Sequence, residues 1–151
     1  MARSATLKRA VKPSKPAYIL DEQIGFILRQ VSQRHASIFA RDIGINLTPT
    51  QWAALAKLNE TGPCSQNQLG RLIYLDAATI KGVVDRLSVR GFVTALNDPT
   101  DRRRLAVALT PRGRIVTEAA MTVAAQITAE TLEPLTEDER RAVAILLRKL
   151  A

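Results

Sequence analysis

Apolar residues recur every three or four positions in the first and last thirds of the chain, which is the spacing of one face of an α-helix. The first stripe predicts one long helix from Tyr18 to Ile43. Its apolar positions are Ile24, Ile27, Leu28, Val31, Ile38 and Phe39. Two later stripes predict a helix over 111–132 and a last helix that begins at a capping box formed by Thr136 and Glu139. Their apolar positions are Ile115, Ala119 and Ile127, then Val143, Leu146, Leu147 and Leu150.

The central third opens with two short helices that carry start signals. Thr48 can cap the first of them, with Pro49 at the first helical position and Gln51 completing a capping box. Ser65 and Gln68 form a second capping box at the start of the next helix. The expected buried positions are Trp52, Leu55 and Leu58 in the first helix and Leu69, Leu72 and Ile73 in the second.

A third short helix is predicted directly after a turn at Tyr74-Leu75. Asp76 can cap this helix, and Gly91 can end it. Its expected buried face follows the i, i+3, i+4, i+7 pattern and consists of Ile80, Val83, Val84 and Leu87. The helices capped by Ser65 and Asp76 are both short and are joined by a tight turn, which is typical of a helix-turn-helix.

A β-hairpin, or wing, is predicted to follow the third helix. Residues 92–95 form its first strand, 97–101 are rich in turn-forming residues, and 103–109 run back as the second strand. Leu105, Val107 and Leu109 are expected on one side of that strand. The predicted fold class is therefore mainly α with a small β-wing, a winged helix-turn-helix plus a helical dimerisation region. The flanking helices carry more apolar surface than so small a unit can cover, and pairing of two chains would bury it.

Net charge narrows the class of partner. The 151 residues, enough for a single domain, include 22 Lys and Arg against 14 Asp and Glu, a net charge of +8 at pH 7. Such a surplus favours a polyanion, either nucleic acid or an anionic membrane surface. Residues 1–16 are basic and are expected to be a flexible arm, which either follows a DNA backbone or is a disordered tail. No stretch of 18 apolar residues is present, so no membrane span is expected.

Several function classes find little support in the composition. A single cysteine, Cys64, excludes an intrachain disulfide and suits a reducing compartment, so a cytoplasmic location is expected. A single histidine, His35, leaves no metal site and no catalytic grouping, and neither an enzyme nor a cofactor is expected. Readers of RNA expose aromatic residues for base stacking, whereas the six aromatic residues here fall mostly at core positions. Double-stranded DNA is therefore the expected partner.

The outward face of the third helix carries small residues among charged ones. It is centred on Ala78, Gly82 and Asp85, and small residues there would let the helix enter the major groove. A solvated surface helix would explain the charges but not the small residues. Lys81 can donate to guanine, and Arg86 is better placed for a phosphate. Thr79 can donate to a base edge or touch a thymine methyl, and Asp85 either pairs with Lys81 or accepts from cytosine.

The turn of the hairpin concentrates arginine beside aspartate. Alternate residues of an extended segment share a face, so Asp101 and Arg103 can pair while Arg102 points the other way. A single free arginine at a hairpin tip suits the narrow minor groove, although an exposed charged turn is the plainer reading. The residues expected to contact DNA are Ser65, Gln66, Ala77, Ala78, Thr79, Lys81, Gly82, Arg86, Arg102, Arg103 and Arg104.

The stretch from Leu47 to Gly113 resembles the MarR family of bacterial regulators. Its wing signature matches at Asp101, Arg103, Leu109, Thr110 and Gly113, and the run VVDRLSVRGFV at 83–93 matches the recognition helix and first wing strand. The resemblance implies one domain over 17–151, with dimerisation helices at 17–44 and 111–151 around a winged unit at 45–110. It also implies a homodimer that reads a pseudo-palindromic operator, usually as a repressor relieved by a small molecule, with Arg102 in the minor groove. Lys81-Gly82 departs from the bulkier residues of many members, so sequence preference does not carry over.

An effector site is expected beside the first long helix. The run at 20–39 resembles regulators of aromatic or nicotinate-type catabolism, which implies a small aromatic carboxylate, such as a hydroxynicotinate, bound between the dimerisation helices and the winged unit. The candidate ligand residues are Arg29, Ser32, His35, Phe39 and Trp52. His35 can alternatively be a core histidine bonded to protein. Two alternatives remain for control: a thiol-redox switch at Cys64, or a basic nucleic-acid-binding module without ligand control.

Overall fold

A computed structural model describes residues 18–97 and 105–151, so the basic arm at 1–16 and the wing residues 98–104 lie outside the described residues. A short 3₁₀ turn at Leu20–Glu22 precedes eight elements in chain order. These are α1 Ile24–Asp42, α2 Pro49–Thr61, α3 Gln66–Leu72, α4 Ala77–Val89, β1 Val93–Asn97, β2 Leu105–Leu109, α5 Pro111–Thr131 and α6 Glu137–Arg148. Within the described ranges, none of the helices combines the length and hydropathy that crossing a bilayer requires.

The helix starts follow the capping signals of the sequence, with one exception. Both halves of the capping box form at Thr48 with Gln51 and at Thr136 with Glu139. The second box, predicted at Ser65, is only half formed: Ser65 Oγ accepts from the backbone N–H of Gln68, and the Gln68 side chain does not return to Ser65. The seven-residue helix α3 therefore begins with a single side-chain cap bond, from the backbone N–H of Gln68 to Ser65.

The first long helix is shorter than the sequence pattern predicts. It begins at Ile24 rather than Tyr18, because Gln23 has an extended backbone (φ −82°, ψ 129°) that separates the 3₁₀ turn from α1. The Gln23 side chain donates to the carbonyl of Ile19 and fixes this break. Of the predicted stripe, Ile38 and Phe39 are buried, and the N-terminal part from Ile24 to Val31 is exposed in the single chain.

The helix-turn-helix forms the centre of the core. All four predicted α4 positions, Ile80, Val83, Val84 and Leu87, are buried. They pack in one cluster with residues of α2 and α3, including Leu55, Leu58 and Leu69. Trp52 and Ile73 lie half-buried at the edge of this cluster. Leu72 is exposed, which corrects the prediction, because α3 ends there and the chain turns away into Ile73.

The wing is an antiparallel hairpin in which Val93 pairs with Leu109 and Asn97 with Leu105. The prediction of a single buried side at Leu105, Val107 and Leu109 is wrong: Ala106, Val107 and Ala108 are buried in succession, and Leu105 is exposed. The reason is that helices α2 and α5 both contact β2, while Cys64 makes an isolated bridge with Val107 at the edge of the strand. Three consecutive buried residues mean that both faces of the strand are covered.

Helix α5 buries only one of the three apolar positions predicted for it, Ile127. Its buried residues are Gly113, Thr117, Ala120 and Ile127, whereas Ile115 and Ala119 are exposed. Thr117 can be buried because its hydroxyl donates to the carbonyl of Gly113 at 2.7 Å. Position 113 must be glycine because the backbone of Phe92 lies so close. A Cβ at this position would lie 1.8 Å from the carbonyl oxygen of Phe92.

Candidate nucleic-acid interface

The start of α4 is capped by Asp76, which accepts two hydrogen bonds from Thr79. Asp76 Oδ1 accepts from the backbone N–H of Thr79 at 2.8 Å, and its Oδ2 accepts from the Thr79 hydroxyl at 2.9 Å. These two bonds, the backbone bond first, lower the pKa of Asp76, so the carboxylate is charged at neutral pH. The Thr79 hydroxyl hydrogen is thus used inside the protein. Donation from Thr79 to a base edge, one of two expected roles, is not available in this geometry, although the residue as a whole is exposed.

The outward face of α4 carries the small and charged residues that the sequence predicts. Ala78, Lys81 and Arg86 are exposed and Gly82 is half-buried. Lys81 Nζ lies 2.6 Å from Asp85 Oδ2, which confirms the expected local pairing of that acid. The Arg86 side chain folds back along the helix, because its Nη1 lies 3.5 Å from the point where a Cβ on Gly82 would stand. The face therefore carries only a small side chain at Ala78, the Arg86 guanidinium lies over Gly82, and Lys81 and Arg86 supply positive charge beside both positions.

The start of α3 lies next to the wing. Ser65 and Gln66, both predicted to contact DNA, are half-buried and line an open cleft of about 500 Å³ together with Asn67 and Leu105. Leu105 is the first described residue after the segment that contains Asp101, Arg102, Arg103 and Arg104. These four predicted residues lie outside the described part of the chain, and their contacts stay predictions.

Two exposed residues of α3 were missed by the sequence reasoning. Asn67 and Arg71 line a second cleft, of about 240 Å³, between α3 and the first residue of α4, Ala77. They are four residues apart and so share one side of the helix, away from the buried Leu69. That spacing is visible in the sequence and is the signal that would have found them.

The five candidate ligand residues lie outside the four clefts that the described part of the chain forms at Ser65, Arg71, Arg90 and Ile45. Arg29 and Ser32 are exposed on α1, and Phe39 is buried in the core cluster, which Trp52 flanks from α2. Arg34, which also lies on α1, donates to the carbonyls of Glu130 and Thr131 at the end of α5.

His35 makes a contact that fixes where its proton lies. Its Nδ1 is 2.9 Å from Thr131 Oγ1, and the Thr131 hydroxyl itself donates to the carbonyl of Ile127 at 2.8 Å. Because that hydroxyl has one hydrogen, it must accept from His35, so Nδ1 carries a proton. This protein contact is what the alternative reading, a core histidine, expects.

Cys64 is enclosed in the sheet. It is 6% exposed, and its backbone N–H and carbonyl both bond to Val107. Burial raises the pKa of its thiol, which disfavours the reactive thiolate. Both observations argue against the alternative of a thiol-redox switch at this residue.

A capped helix-turn-helix followed by an antiparallel hairpin defines the winged helix-turn-helix class of DNA-binding proteins. A model of the MarR family matches residues 47–105 of the chain. The chain is 37% identical to the HTH-type transcriptional repressor NicR of Pseudomonas putida, over 99% of this chain and 95% of that protein. It therefore belongs to the MarR family.

Two solved structures support the assignment over most of the chain. A probable transcriptional regulator from Pseudomonas aeruginosa is 56% identical with a TM-score of 0.85, covering 88% of this chain and all of that one. BpsR of Bordetella bronchiseptica, whose DNA binding is regulated by 6-hydroxynicotinic acid, is 39% identical with a TM-score of 0.83, covering 89% of this chain and 97% of that one. The same fold thus extends through the flanking helices as well as the winged unit.

Proposed function

We propose that the protein is a homodimeric transcriptional repressor that binds a pseudo-palindromic operator and is released by a small aromatic carboxylate. The observation that carries the DNA-binding part is the outward face of α4, where Ala78 and Gly82 have no bulky side chain of their own between the exposed Lys81 and Arg86. A helix with that profile can approach base edges in the major groove, with Lys81 near guanine and Arg86 at a phosphate. The Thr79 methyl is then available to a thymine methyl.

The rest of the proposed contact surface surrounds this helix. The N-terminus of α3 at Ser65 and Gln66 would approach the DNA backbone, and Ala77 begins the recognition helix itself. The wing would straddle the adjoining minor groove through Arg102, held by an Asp101–Arg103 pair, with Arg104 beside it. The basic arm at 1–16 is proposed to follow the backbone.

Exposed apolar side chains at both ends of the chain support a dimer. Tyr18 is 76% exposed, Ile24 62%, Leu146 58% and Leu150 73%. Apolar residues spaced along α1 and α6 at such exposure are what a second copy would cover. Two recognition helices related by a two-fold axis would then read half-sites about one helical turn apart.

Dimerisation can be tested by analytical ultracentrifugation with charge inserted into the apolar stripe. Ile24→Glu and Leu146→Glu are expected to shift the protein towards monomer and to weaken binding to duplex DNA. Gln33→Glu is the matched control, because residue 33 lies on the opposite side of α1 from Ile24 and is exposed. A wild-type monomer at micromolar concentration would reject the dimer.

The aromatic carboxylate is supported by BpsR, which responds to 6-hydroxynicotinic acid, and by the residues on α1. Arg29 forms no ion pair with any residue of 18–97 or 105–151, so its guanidinium is available to a carboxylate. His35, held at Nδ1 by Thr131, has Nε2 as its second polar atom. Ser32 lies between the two on the same helix, the half-buried Trp52 would form the apolar wall, and the buried Phe39 would support it from the core.

The effector can be tested by titrating 6-hydroxynicotinate, benzoate and cinnamate while following Trp52 fluorescence and operator binding. At least one is expected to bind and to release the DNA. Arg29→Met should weaken that response without changing DNA affinity in the absence of ligand, and Gln30→Ala should leave both unchanged. If all three acids are without effect, the protein is better described as a DNA-binding module without ligand control.

A further inference from the structure

The turn between α1 and α2 has an unusual backbone. Three successive residues, Gly44, Ile45 and Asn46, have positive φ angles of 67°, 41° and 49°. A left-handed conformation is easy for glycine and tolerable for asparagine, but a β-branched residue such as Ile45 seldom adopts it. Such strain persists only where surrounding contacts hold it.

The contact that holds this turn comes from the far end of the recognition helix. Arg90, the C-terminal cap residue of α4, donates from Nη2 to the carbonyl of Ile45 and from Nη1 to the carbonyl of Asn46 at 3.2 Å. Its Nη1 also lies 3.5 Å from Gln51 Oε1, which accepts from the Thr48 backbone N–H at the start of α2. One guanidinium therefore joins the end of α4 to the turn and to the cap of α2.

The position of this guanidinium is further fixed by an aromatic ring. Arg90 Cζ lies 4.7 Å from the centre of the Phe92 ring, which is buried where α4 passes into the wing. A planar fork with several fixed donors can bond two carbonyls and lie against a ring at once, which an ammonium cannot do. Ile45 also lines an apolar cleft with Ile115 and Ala119 of α5.

We propose that Arg90 is a positioning residue for DNA recognition, which sets the angle of α4 by clamping its C-terminal end to the turn 44–46. It would act on operator binding without touching DNA. The inference rests on the proposed role of α4 in the major groove. It also makes the turn 44–46 the link through which the end of α1 reaches the recognition helix.

The test compares two arginines of the same helix region by the salt dependence of operator binding. Each phosphate contact that is lost reduces the slope of log K against log [salt] by about 0.9. Arg90→Ala is expected to lower operator affinity about tenfold or more, the equivalent of at least one base contact, with an unchanged slope. Arg90→Lys should recover part of the affinity. Arg86→Ala is the matched control. It should reduce the slope by about 0.9 for each subunit of the bound protein, because one phosphate contact is lost in each.

Three results would overturn the inference. A smaller slope for Arg90→Ala would make Arg90 a phosphate contact. A lower Tm with unchanged operator affinity, measured well below that Tm, would make it a residue of general stability. An unchanged slope for Arg86→Ala, together with unchanged affinity for both variants, would remove α4 from the interface and with it the proposed function.

Discussion

The Nζ of Lys81 lies 2.6 Å from Oδ2 of Asp85, one turn further along α4. Both side chains are more than half exposed, so the pair is held in water and adds little to stability. Its position matters more than its strength, because it lies on the face proposed to enter the major groove. DNA that binds there must compete with Asp85 for the Lys81 ammonium group.

Asp85→Asn should therefore raise affinity for DNA of any sequence. The change removes a negative charge that repels phosphate and frees Lys81 to donate to the DNA. Binding to operator and to nonspecific duplex, measured by fluorescence anisotropy at fixed salt, is expected to tighten several-fold for both. Glu60→Gln is the control, since Glu60 forms the corresponding surface pair with Lys57 on α2. Weaker binding by Asp85→Asn would instead indicate that Asp85 accepts from cytosine.

Arg102→Ala should weaken operator binding by about 1–3 kcal/mol and relax sequence preference under the wing. The prediction follows from the expected minor-groove role of Arg102, which depends on the negative potential of a narrow groove. Arg148→Ala loses the same charge at the end of α6, which is not among the elements proposed to contact DNA, and is the control. Equal effects of the two variants would mean that only net charge matters.

Gly113→Ala should destabilise the protein by about 3 kcal/mol or more. The added Cβ would stand 1.8 Å from the carbonyl oxygen of Phe92, so α5 and the start of the wing would have to separate. Urea unfolding followed by circular dichroism measures the change. Gly25→Ala, where a Cβ meets nothing within 4 Å, should stay within about 1 kcal/mol of the unchanged protein. Similar stabilities for the two variants would show that the close approach at Gly113 is absent.

Cys64 should react slowly with iodoacetamide in the folded protein at pH 7. Because burial raises the pKa of the thiol, the neutral form persists to higher pH, and the rate should climb only above the ordinary thiol range near about 8.5. Unfolding in urea should abolish this protection. Cys64→Ala should bind DNA normally and respond to effector as the unchanged protein does. Fast alkylation at pH 7, or release of DNA by peroxide that dithiothreitol reverses, would restore the redox alternative.

Local signals predicted the winged unit well. The caps at Thr48 and Asp76, the buried face of α4 and the Lys81–Asp85 pair are all confirmed, because each depends on residues three or four positions apart. The prediction failed where contacts between residues far apart in the sequence determine which side chains are buried. Ala106, Val107 and Ala108 of β2 are buried in succession because α2 and α5 contact the strand, and no local pattern at 105–109 indicates this.

The same distinction holds for the candidate site. The Asp76 carboxylate that caps α4 also accepts a hydrogen bond from the Thr79 hydroxyl. The three-residue spacing of the two residues is visible in the sequence. The spacing does not show whether that hydroxyl donates to Asp76 or to a DNA base. The clamp of Arg90 on Ile45 joins residues 45 positions apart. The periodicity of the sequence does not indicate such a pair, because the pair forms only when the end of α4 packs against the turn that follows α1.

Selection from a random pool of duplex DNA tests the central claim most directly. The proposed geometry predicts a dyad-symmetric site whose half-sites are about 10–10.5 base pairs apart, and a changed base preference within each half-site for Lys81→Ala at similar nonspecific affinity. Recovery of no enriched sequence, or of the same site for Lys81→Ala as for the unchanged protein, would contradict a recognition helix at Ala77–Val89.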